Sequence, residues 1–77
     1  MLGEKHPDTL RSRNNLADAL SDAGRHEEAV EIYRGTLSVR RRVLGEEDPS
    51  TLRSTTRLAN ALRAAGRYEE AVEMEVH

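Results

Sequence analysis

Apolar residues along this chain recur at the three- and four-residue spacing of an α-helix, in runs punctuated by proline and glycine. Leu10, Leu16, Ala17, Leu20 and Ala23 form one run, opened by Pro7 and closed by Gly24. Leu52, Leu58, Ala59, Leu62 and Ala65 form another, opened by Pro49 and closed by Gly66. This spacing predicts two amphipathic helices. Proline suits a first helical turn, where the missing N–H has no partner to lose. Glycine just past the last turn allows the left-handed conformation that ends a helix. Asp48 before Pro49 is a good N-cap, and His6 before Pro7 a poorer one. A further helix follows Gly24, with Ala29, Val30, Tyr33, Leu37, Val43 and Leu44 on one stripe, and Gly45 ends it. No alternating β-branched run predicts a strand.

The runs are copies of each other. Residues 1–35 laid on 43–77 give 20 identities without a gap, at a period of 42. Leu2-Gly3-Glu4 falls on Leu44-Gly45-Glu46, Thr9-Leu10-Arg11-Ser12 on Thr51-Leu52-Arg53-Ser54, and Glu27-Glu28-Ala29-Val30-Glu31 on Glu69-Glu70-Ala71-Val72-Glu73. Each unit therefore reads as a helix A, a tight Gly-Arg turn and a helix B. A connection that short forces the two helices to pack antiparallel. Ala17, Ala19 and Ala29, with copies Ala59, Ala61 and Ala71, are small where helices approach. The expected fold is all-α: antiparallel hairpins stacked as an α-solenoid of about two repeats, the last helix truncated. Residues 1–77 form one domain, with repeat 1 over about 7–44 and repeat 2 over about 49–77, incomplete.

Composition narrows the function. The chain is 34% charged with no Cys, Trp or Phe, which excludes disulfides and thiolate zinc sites. A net charge of −2 argues against a general nucleic-acid binder. No apolar stretch approaches the ~20 residues of a membrane span, and no signal peptide is visible. A cytoplasmic protein without membrane attachment is the expectation. With so few large apolar side chains, the monomer should be marginal or completed by a partner chain.

Leu16-Ala17 and Leu20 in helix A, Gly24 at the turn, and Glu27-Glu28-Ala29 with Tyr33 in helix B resemble a tetratricopeptide repeat. Leu58-Ala59, Leu62, Gly66 and Glu69-Glu70-Ala71 carry the same motif in the second copy. The period of 42, with Leu-Gly-Glu-X-X-Pro-X-Thr-Leu between units, is similar to the kinesin-light-chain-like subtype. Two positions depart from the family pattern. Arg13 and Thr55 replace a large aromatic early in helix A, and Thr36 replaces a small residue late in helix B. The resemblance implies a protein-interaction scaffold, not an enzyme, that holds extended peptides in a concave groove lined by the A helices. It implies a protein or peptide partner and no cofactor. A structural spacer or self-association segment of a larger regulator is the alternative reading.

On that groove the polar stripe is Arg11, Asn14, Asn15, Asp18 and Asp22 in the first unit, and Arg53, Thr56, Arg57, Asn60 and Arg63 in the second. Asn can donate to and accept from a peptide backbone, and Arg can grip a carboxylate with two bonds. Arg53, Arg57 and Arg63 recur near helical spacing, which favours an acidic peptide. The bland alternative is an ordinary solvated helix face. Arg40-Arg41-Arg42 fits a helix C-terminus favoured by the macrodipole. His6, His26 and His77 have no i, i+4 partner, so no metal site is expected, and Asp18 with Asp22 lacks the nucleophile or pocket of a catalytic pair.

The alignment also bears on the ends. Leu2-Gly3 matches the end of a helix B, so the sequence is expected to start in the last turn of a preceding unit. The second helix B would run to about position 86 by the copy of Leu44. The faces of Leu10, Leu16 and Leu20, and of Val72, Met74 and Val76, should then be partly open, and self-association through them is expected, by end-to-end stacking or helix exchange.

Overall fold

A computed structural model describes residues 7–75 as four α-helices: α1 (Pro7–Asp22), α2 (His26–Leu44), α3 (Pro49–Ala64) and α4 (Tyr68–Glu75). The helix starts and stops follow the punctuation. Asp48 is the N-cap of α3, and its Oδ1 accepts from the Ser50 N–H at 2.9 Å. Gly24 and Gly66 have φ of 84° and 81°. After α1, the Gly24 N–H donates to Ser21 O and the Arg25 N–H to Leu20 O. After α3, Gly66 and Arg67 repeat those bonds to Arg63 O and Leu62 O. This is the paired closure that glycine permits at C′. His6, Leu2, Gly3, Val76 and His77, which carried expectations, lie outside the described residues.

Packing runs in sequence order: α1 on α2, α2 on α3, and α3 on α4. That alternation makes two layers, α1 with α3 and α2 with α4. The smallest extent of the Cα trace, 14 Å, matches two helix axes about 8–10 Å apart plus two backbone radii of about 2.3 Å. The core is Ala17, Ala29, Val30, Tyr33, Leu37, Leu58, Ala59, Ala61, Leu62 and Ala71. Five of the six alanines expected at helix approaches are in it; the sixth, Ala19, is exposed, unlike its copy Ala61. Thr36, the departure from the family pattern, is fully buried, and its hydroxyl has no hydrogen-bond partner.

Two expectations about the apolar faces need correcting. Leu10 is closed, at 4% exposure, whereas its copy Leu52 is 54% exposed although it belongs to the same apolar stripe. The reason is helix length. In an antiparallel hairpin the start of helix A faces the end of helix B. The nineteen residues of α2 cover the start of α1; at the start of α3, Thr51 and Ser54 are buried, and the eight described residues of α4 leave Leu52 uncovered. Leu16 and Val72 are open as expected, at 54% and 59%, while Leu20 and Met74 are half-buried.

Candidate binding site

The polar stripe singled out on the A helices falls on the α1–α3 layer, and the fold draws its members together unequally. Asp18 of α1 and Arg57 of α3 meet across the repeat boundary. Arg57 Nη1 donates to both carboxylate oxygens of Asp18, at 2.9 and 2.7 Å. The Tyr33 hydroxyl of α2 donates to the same carboxylate. One Asp thus ties three helices. Beside it lies a cleft of about 220 Å³ lined by Asp18, Ser21, Tyr33, Arg57, Asn60 and Ala61. Asn60 Oδ1 accepts from Arg63 at 2.9 Å. Thr56 turns its hydroxyl back to Leu52 O at 3.2 Å, a bond within its own helix. Arg11, Asn15, Asp22 and Arg53 are exposed. Asn14 is not on the surface: it is buried, with its Oδ1 lacking a hydrogen-bond partner. The long α2 covers this part of α1, and its second-copy counterpart Thr56 is exposed.

These contacts shift protonation. Burial, then the hydrogen bond to Asp18, pushes the Tyr33 phenol up to about 12. The Asp18 hydrogen bond holds the Arg57 guanidinium above its ordinary value, against desolvation. Arg40 moves the other way. Burial lowers it first, and then the like charges of Arg53, Arg57 and Arg11. Its Nη1 donates to Ser54 Oγ at 2.6 Å, so it reaches from the end of α2 into the A-helix layer.

A family model described as Tetratricopeptide repeat matches residues 8–76. The chain belongs to the tetratricopeptide repeat family. No curated protein and no solved structure matches it. Tetratricopeptide repeats generally mediate protein–protein interaction and are typically non-catalytic scaffolds. Among the described residues no helix is long and apolar enough to cross a membrane.

Two side chains at this tetratricopeptide seam escaped the sequence reading. Tyr33 was assigned to the core stripe, and so it is, but a buried phenol also needs a hydrogen-bond partner. That need points toward an acid on a facing helix. Arg40 was assigned to the helix terminus with Arg41 and Arg42. Its position seven residues after Tyr33 puts it two turns along the same inward stripe, a signal that separates it from its neighbours. Arg41 and Arg42 instead border a second groove of about 600 Å³ between α2 and α4, floored by Leu37, Leu58, Leu62 and Met74.

Proposed function

We propose that the α1–α3 layer of this tetratricopeptide repeat pair binds an extended acidic segment of a partner protein. The reading is supported above all by Arg11 and Arg53, one residue in two copies. Both are exposed, and neither is paired with an acid among the described residues. Arg40 adds a third cation close enough to be destabilised by both. Like charges held near each other favour an anion that relieves their repulsion. Arg57 and Arg63, the other arginines of the stripe, are engaged by Asp18 and Asn60. They shape the wall and leave Arg11 and Arg53 to meet carboxylates, with Arg40, bonded to Ser54, adding positive charge nearby. Asn15 and Asn60 supply amide groups that complement a peptide backbone.

The test is a fluorescence anisotropy titration with a short labelled Asp/Glu-rich peptide. Saturable binding that weakens with salt is expected. Replacing Arg11 and Arg53 together by Ala should weaken it about tenfold or more, since charged hydrogen bonds contribute roughly 1 kcal/mol or more apiece. Replacing Arg41 and Arg42, which border the other groove, should leave it unchanged. Equal affinity in the native chain and the Arg11→Ala/Arg53→Ala variant would remove the reading.

A further inference from the structure

Short connections join α1 to α2 and α2 to α3, so α1 and α3 both run against α2 and parallel to each other. The bond from Arg57 to Asp18, at 2.7 Å, fixes which of their turns are level. One turn back toward both helix starts, Arg53 of α3 is level with Asn14 of α1. One turn further back, Ser50 is level with Arg11. Arg40 of α2 reaches the same stretch from behind. Its Nη1 donates to Ser54 Oγ at 2.6 Å and to Ser50 O at 3.5 Å. Three arginines from three helices thus converge within about two turns of the α1–α3 seam. The seam is bordered by α1, α3 and α2, so the inner packing of the hairpins sets it, and not the outer faces of α1 and α4.

The charges there do not balance. Arg57 is matched by Asp18. Arg11, Arg40 and Arg53 remain, and among the described side chains the acid acting on this group is Asp48. Three cations against one acid leave a surplus of two positive charges. The effect is visible at Arg40. Burial lowers its guanidinium first, Arg53, Arg57 and Arg11 lower it further, and Asp48 opposes them. Arg40 is held in place by Ser54, whereas Arg11 and Arg53 are exposed and can turn their forks toward a ligand.

We propose that the anion seated at this seam is a phosphate monoester, carried by a phosphorylated side chain of the bound segment. This rests on the reading of the α1–α3 layer as the binding surface and specifies its ligand. One carboxylate brings a single charge and two oxygens, and leaves half the surplus in place. A phosphate monoester brings nearly two charges near neutral pH and three strong acceptor oxygens. Guanidinium forks match those oxygens with paired bonds. Arg11 and Arg53 approach from the two walls of the seam, and Arg40 supplies a fixed charge between them.

The test uses three labelled Asp/Glu-rich peptides that differ only at a central serine, glutamate or phosphoserine, titrated by fluorescence anisotropy. The phosphoserine peptide should bind about tenfold or more tightly than the glutamate peptide, since one added charged hydrogen bond is of that order. In Arg11→Ala/Arg53→Ala both peptides should weaken and their ratio should fall toward one. Arg40→Gln, which keeps a donor for Ser54, should also reduce the ratio. Circular dichroism checks its helicity, and the double variant, made only at exposed side chains, decides the matter if Arg40→Gln does not fold. Equal binding of the phosphoserine and glutamate peptides overturns this inference and leaves the acidic-segment reading standing. Binding by none of the three removes both. A ratio unchanged in the double variant places the phosphate elsewhere and also overturns it. So does inorganic phosphate that displaces the phosphoserine peptide with an equal Kd, because the ligand is then the free ion.

Discussion

Tyr33 joins burial and charge at a single atom. Its ring is in the core at 5% exposure, and its hydroxyl meets the Asp18 carboxylate that also receives Arg57. A phenolate there would be desolvated and set against a carboxylate, so the neutral form is favoured. The folded value is about 12 against an ordinary 10.0. Below the unfolded value both states are protonated and the stability due to the neutral phenol is fully present. Between pH 10.0 and about 12 the unfolded chain loses this proton while the folded chain keeps it, so unfolding is increasingly favoured. The expected loss over that interval is about 2 kcal/mol. Urea unfolding at stepped alkaline pH should show it in the native chain and not in Tyr33→Phe. Parallel pH curves for the two would contradict the assignment.

Glycine acts oppositely in two places at the level of the helix. Gly66 sits past α3 with φ of 81°, and nothing lies within 4 Å of a Cβ built on it. A side chain there meets no neighbour, so the whole penalty is conformational. Gly66→Ala should destabilise by about 1–2 kcal/mol. Gly35 also has open space around a built Cβ, but it lies inside α2, where an L-residue fits without strain. Gly35→Ala should stabilise by about 0.5–1 kcal/mol, by restricting the unfolded chain and favouring the helix. Thermal melts of the two variants should therefore move in opposite directions. The helix ends were legible in the sequence because they are local: proline, glycine and the Asp48 cap act within a turn of their own position. The burial of Leu10 and the exposure of Leu52 were not, because the same residue at the same place in two copied helices differs in what the facing helix covers.

Across the whole molecule, the repeats are coupled by few polar contacts. Asp18 with Arg57 links the A layer, while Arg67 with Glu27 and Arg34 with Glu70 link the B layer. Arg67, then Arg34, hold the Glu70 carboxyl below the usual range, against desolvation. The Asp18 and Arg57 side chains are 39% and 46% exposed, so solvent weakens their pairing. A double-mutant cycle of Asp18→Ala and Arg57→Ala, run in a Tyr33→Phe background to remove the shared partner, should give a coupling of about 0.5–1 kcal/mol. No coupling would mean that the angle between units is set without this pair, by the packing of α2 on α3 and the remaining polar links. Of the predicted groove, Arg11, Asn15, Asp22 and Arg53 could be placed on the surface from periodicity. The burial of Asn14 and the pairing of Asp18 with Arg57 and Tyr33 could not, since those partners lie 39 and 15 residues away and depend on how the helices pack; the bond of Asn60 to Arg63 is local to one helix.

The sequence by itself determined the helices, their ends and the family, because helical spacing, capping and a duplicated motif are properties of near neighbours along the chain. It also showed two arginines recurring in register on the A helices. Only the tertiary structure decided which of two identical residues is covered. Leu16 and Leu58, or Val30 and Val72, hold the same place in copied helices, and their burial differs with what packs on them. The stacking of the first hairpin on the second leaves Val30 and Leu58 buried, and Leu16 and Val72 exposed.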